Sequence, residues 1–138
     1  MNKKYFLIPI FYIFSFTVQA QYNNLVGTWE SKELNEPVEM ILDKGGFITF
    51  RVGDQLLGGR GYTSNGEMLR MTYKTFEQDS TVKITIIIKD LKKNRVLKRD
   101  TGTITFLDSN NIEICFKKTL QESNDIVTND CRYFLKIK

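Results

Sequence analysis

Apolar and polar residues alternate with a period of two through most of the chain beyond residue 37, and helical spacing is almost absent. Residues 81–89 give the clearest case, with Val82, Ile84, Ile86 and Ile88 on one face and mainly polar residues on the other. Similar stretches are residues 38–42, 47–52, 56–63, 68–76 and 96–107, where Ile104 and Phe106 share a face. Ile112, Ile114 and Phe116 then alternate with Glu113, Cys115 and Lys117, and a last strand sets Tyr133, Leu135 and Ile137 against Arg132, Lys136 and Lys138. The breaks carry turn chemistry: Asp43-Lys44-Gly45-Gly46, Gly53-Asp54, Ser64-Asn65-Gly66 and Asp108-Ser109-Asn110-Asn111. About eight short strands at this spacing predict an all-β chain. With consecutive hairpins and no long crossover, the expected fold is a single up-and-down antiparallel β-barrel, which escapes exposed edges by closing on itself.

The N-terminus departs from this pattern. Met1-Asn2-Lys3-Lys4 is a short basic head, residues 5–16 are apolar apart from Pro9 and Ser15, and Thr17-Val18-Gln19-Ala20 presents small residues where a signal peptidase cuts. Residues 1–20 are therefore expected to be a cleaved signal peptide, and residues 21–138 one domain. The apolar stretch is well short of the ~20 residues that a spanning helix needs. The residue after the cut is Gln21 rather than Cys, so no lipid anchor is expected after cleavage. The mature protein is expected to be exported, either periplasmic or secreted.

Cleavage changes the charge. Of 20 basic residues Lys3 and Lys4 would leave, no acid would, and a net charge of +4 would become +2. The basic residues are scattered among acids, which argues against a nucleic-acid partner. The one dense run, from Lys89 through Lys92, Lys93 and Arg95 to Lys98 and Arg99, reads as a solvated turn between strands. The chain has no His, which removes the usual general base and triad and most catalytic zinc geometries. No carboxylate pair stands out by spacing. Neither an enzyme nor a metal site nor a cofactor is expected. Gly58-Gly59-Arg60-Gly61 lacks the Gly-Lys-Ser/Thr ending of a phosphate loop and reads as a bent strand or barrel corner.

Asn24-Leu25-Val26-Gly27-Thr28-Trp29-Glu30 resembles the Gly-x-Trp signature that opens the first strand of lipocalin-like proteins, small extracellular barrels of the calycin kind. The stretch from Thr103 to Ile114 is similar to the penultimate hairpin of bacterial lipocalin-like domains. The resemblance implies that Gly27 and Trp29 are structural, with Trp29 plugging one end of a barrel and a basic residue near the chain end packed across its ring. Arg132 is the first candidate for that residue and Lys136 the second, as a cation–π contact.

An even cysteine count in an exported chain predicts a disulfide between Cys115 and Cys131. A loop at residues 121–125 would oppose the two strands that carry them. The apolar pattern, however, pairs Phe116 rather than Cys115 with Cys131. A one-residue bulge near Asp130 would reconcile the two.

Two functions follow. In the first, Phe50, Ile84, Ile86, Ile104 and Phe106 point inward and line a cavity for a small hydrophobic ligand. In the second, those side chains fill the barrel, and loops at residues 53–60 or 89–99 bind an extracytoplasmic protein as an inhibitor or envelope factor.

Overall fold

The computed structural model describes residues 25–33, 35–119 and 127–138. The expected leader at residues 1–20 and the expected loop at residues 121–125 lie outside the described residues. Ten strands follow in chain order: β1 (Gly27–Ser31), β2 (Val38–Leu42), β3 (Ile48–Val52), β4 (Gln55–Gly58), β5 (Tyr62–Ser64), β6 (Glu67–Gln78), β7 (Thr81–Asp90), β8 (Arg95–Phe106), β9 (Asn111–Thr119) and β10 (Val127–Lys136). They form one antiparallel sheet in the order β4-β3-β2-β1-β10-β9-β8-β7-β6-β5, nearly closed into a barrel. β1 pairs with β10, so the break in the meander falls between β4 and β5.

The count of ten corrects the expected eight. Residues 56–63, expected as one stretch with a bend or barrel corner at Gly58-Gly59-Arg60-Gly61, are divided into two strands at that corner, where Gly58 and Gly59 have φ angles of 106° and 80°, outside the extended region. The chain there turns a corner and helps to seal the break: Gly59 N–H donates to Ile48 O at 2.8 Å, and Met71 N–H donates to Gly59 O at 2.9 Å. Tyr73 N–H donates to Gly46 O at 2.9 Å, and Phe47 bridges to Thr72. The Tyr73 hydroxyl adds a bond to Asp43 O at 2.8 Å, and burial pushes its pKa up. Arg60 stacks on the Phe47 ring at 4.5 Å.

Asn65 and Gly66 join β5 to β6 with both φ angles positive, 51° and 76°, the geometry of a two-residue hairpin turn. Asp79 and Ser80 make an equivalent turn between β6 and β7, at 52° and 61°.

Alternation places the core. Leu25, Trp29, Met40, Leu42, Ile48 and Ile112 are each at most 1% exposed and fill one end of the barrel. Ile84 is fully buried at mid-barrel, and Val82, Ile86 and Ile88 pack against the same cluster.

β10 faces the opposite way to the sequence expectation. Tyr133, Leu135 and Ile137 are exposed at 51%, 45% and 41%, while Phe134 is 6% exposed. The cause is register: Phe134 pairs with Ile112 and Arg132 with Ile114, and residues directly opposite in an antiparallel pair share a face. Pairing is continuous from Val127↔Thr119 to Leu135↔Asn111, so the expected bulge near Asp130 does not occur. A register shift lies instead between Ile88 and Lys89 in β7.

Candidate functional site

At the filled end the Trp29 indole N–H donates to Leu25 O at 2.8 Å, which satisfies the one polar atom of a side chain otherwise surrounded by hydrocarbon. The Lys136 ammonium lies 5.4 Å from the Trp29 ring centroid. This corrects the first candidate: Lys136 rather than Arg132 covers the ring, because Lys136 is the β10 residue that pairs with Trp29. Gly27 sits beside them with φ at 144°, where a Cβ would collide with the Lys138 carbonyl oxygen.

Adjoining this plug through Met40, which pairs with Trp29, is an apolar pocket of about 170 Å³, bounded by Met40, Phe50, Ile84, Ile86, Ile114 and Phe116, with Phe134, Asp130 and Arg132 completing it. Of the five residues expected to line a cavity, Phe50, Ile84 and Ile86 do so. Ile104, 3% exposed, belongs to the packed core, and Phe106 packs against that core opposite fully buried Ile112. Those two positions are filled barrel, not cavity. Arg132 and Asp130 are the polar members of the pocket, their charged groups 3.8 Å apart.

Sequence reasoning missed Asp130, Arg132 and Phe134 as pocket residues because it turned β10 the wrong way. The signal was present in the cysteines: had Cys131 been set opposite Cys115 without a bulge, Arg132 and Phe134 would have fallen on the inner face. Phe116, Ile114 and Met40 were legible as members of alternating strands but not as neighbours of one space.

Beside the pocket the wall opens. β8 pairs with β9 only from Gly102↔Phe116 to Phe106↔Ile112. Beyond Gly102, β8 continues along β7 to Arg95, and β9 continues along β10 to Thr119. The two strands part there. Gly102 marks the fork, since a Cβ at that position would stand 2.8 Å from the Phe116 ring. The space between the parted strands measures about 380 Å³ and is bordered by Lys98, Arg99, Asp100 and Lys117, together with Phe116 and Asp130, which also line the apolar pocket.

Cys115 and Cys131 are bonded, directly opposite one another on the outer face, with S–S at 2.07 Å. Glu113 Oε1 lies 3.5 Å from Cys115 Sγ. The three groups are close enough to suggest a metal cluster, but sulfurs joined to each other are not thiolates, the form that ligates metal. Shifted titrations among the described residues mark structural roles. Asp90, held by the Lys93 and Lys92 backbone N–H groups, has its pKa lowered. So has Asp108, held by Asn110 N–H and the Asn111 side chain. Tyr133, hydrogen-bonded to Glu113, has its pKa raised. None of these groups lines the pocket.

Comparison with known proteins defines a class by fold only. No protein-family model matches the chain, and no curated protein does. Among solved structures, the fold is similar to that of Tp0751 (pallilysin) from Treponema pallidum, with a TM-score of 0.50 and 12% identity over 85% of this chain and 80% of that one. At that identity the likeness concerns the barrel and not its chemistry. Among the described residues no helix is long and apolar enough to cross a membrane.

Proposed function

We propose that this protein is an exported, lipocalin-like binding protein that holds one small apolar ligand in a pocket within its barrel. One observation carries the reading: seven apolar side chains from β2, β3, β7, β9 and β10 converge on a single space whose polar members are Asp130 and Arg132. Apolar walls with a few placed polar groups are the usual composition of a ligand site. The volume of about 170 Å³ lies under the roughly 300–1,000 Å³ of common ligand pockets, so the ligand, or the part of it inside, is a short chain or small ring. Mass spectrometry of the purified protein under denaturing conditions tests this directly. Release of a lipid-like molecule is expected, together with saturable uptake of an added medium-chain alcohol. No extractable molecule and no uptake would overturn the reading.

Export rests on the leader pattern and is supported by the Cys115–Cys131 bond, since disulfides persist in oxidising compartments. Sequencing of the mature N-terminus should begin at Gln21, and a chain retaining Met1 would be evidence against cleavage.

The alternative of a protein-binding module has one observation in its favour, and it moves the surface from the loops to β10. Tyr133, Leu135 and Ile137 border an outer groove with Glu33 and a Glu30–Lys32 ion pair of 3.8 Å at its edge, which suits a partner carrying an apolar ridge. A stoichiometric complex abolished by Leu135→Glu would sustain it, and a complex indifferent to that change would remove it.

A further inference from the structure

We infer that the ligand is an anionic amphiphile that enters through the side of the barrel, with its headgroup held between the parted ends of β8 and β9 and its chain in the apolar pocket. The inference rests on the carrier reading above and adds to it a headgroup chemistry and a route.

The route follows from topology. Where β8 and β9 separate beyond Gly102 and Phe116, the wall among the described residues has no ladder, and the space there shares Phe116 and Asp130 with the apolar pocket. The two spaces are therefore neighbours across one aromatic ring. Because the pocket alone is small, a ligand longer than a few carbons must extend into this gap.

The headgroup follows from charge. Lys98, Arg99 and Lys117 border the gap and Arg132 stands just inside it, against two acids, Asp100 and Asp130. The acids are engaged: Lys98 is 3.2 Å from Asp100, and Arg132 is 3.8 Å from Asp130. Arg99 and Lys117 have no ion-pair partner among the described residues, and both are exposed. A carboxylate at the gap would meet two uncommitted cations, whereas a cationic head would meet the same two as repulsion. Arg99 adds a planar fork suited to bidentate contact with a carboxylate.

Calorimetric titration of the full-length protein's purified form with decanoate, 1-decanol and decyltrimethylammonium tests the inference. Decanoate should bind about tenfold more tightly than decanol at low salt, as two exposed ion pairs allow. The ammonium should bind most weakly. The advantage of decanoate should shrink as salt rises from ~20 to ~500 mM. Arg99→Gln combined with Lys117→Gln should remove the advantage and leave decanol binding unchanged, which also reports that the variant is folded. Equal binding of decanoate and decanol would overturn the headgroup and leave the carrier reading standing. Loss of decanoate preference on Arg132→Gln but not on the double change would overturn the side route. Failure of all three probes to bind would overturn the carrier reading and this inference with it.

Discussion

Cys131 faces Cys115 directly across β9 and β10, with a Cα–Cα distance of 4.0 Å, and this pairing decides which way the last strand looks. With the cysteines on the outer face, Arg132 and Phe134 turn inward and Tyr133 and Leu135 turn to solvent. The register that opposes the two cysteines is thus the same one that puts Arg132 and Phe134 in the pocket.

Because the bond closes a loop with a sequence separation of 16 residues, its loss through Cys115→Ser and Cys131→Ser should cost about 3 kcal/mol by loop entropy. Urea denaturation with and without reductant gives the measurement. Identical midpoints would show that the hairpin holds its register without the bond.

Trp29 is the only tryptophan, so its fluorescence reports the filled end alone. Trp29→Ala should cost about 3–5 kcal/mol as a large core deletion. Lys136→Met, which keeps the apolar stem but not the ammonium over the ring, should cost about 0.5–1 kcal/mol. In that variant acrylamide quenching of Trp29 should stay low, because the ring remains buried. Strong quenching would mean that the ammonium, not packing, keeps Trp29 enclosed.

Asp90 gives the fold an acid limit. Its carboxylate accepts the Lys92 and Lys93 N–H groups at 2.9 and 3.0 Å across the β7–β8 turn, so the folded state lowers its pKa. A group with a depressed folded pKa contributes stability above its unfolded value and loses it as pH falls through the folded one. Unfolding midpoints should therefore drop as pH falls below the ordinary carboxylate range, and Asp90→Asn should flatten part of that slope. Asp108, lowered for a similar reason, would supply a remainder. An Asp90→Asn profile parallel to that of the parent would remove Asp90 from the account.

Two glycines separate backbone strain from crowding. Gly58→Ala puts a side chain at φ 106° against the Ile48 carbonyl oxygen and 3.3 Å from the Met71 sulfur, which should cost about 3 kcal/mol. Gly66→Ala, at φ 76° with open space around it, should cost about 1 kcal/mol from conformation alone. Equal thermal shifts in the two variants would mean that the corner sealing the barrel can yield.

What the chain determined by itself is what depends on neighbours in sequence. Alternation specified nearly every strand, because a period of two follows from local geometry whatever the strand packs against. Asn65-Gly66 specified its hairpin through the positive φ that these residues tolerate, and Trp29 was legible as a plug through the resemblance of Gly27-Thr28-Trp29 to the Gly-x-Trp signature. Tertiary structure decided what depends on register and closure. The inward face of β10 could not be read from Tyr133, Leu135 and Ile137, since alternation fixes which residues share a face but only pairing with β9 fixes which face is inside. Lys136 prevailed over Arg132 at Trp29 for the same reason. The corner at Gly58 and Gly59 was legible in the glycine run, whereas the fork of β8 from β9 at Gly102 arises where distant strands approach closely enough to exclude a Cβ, a contact that no local pattern records.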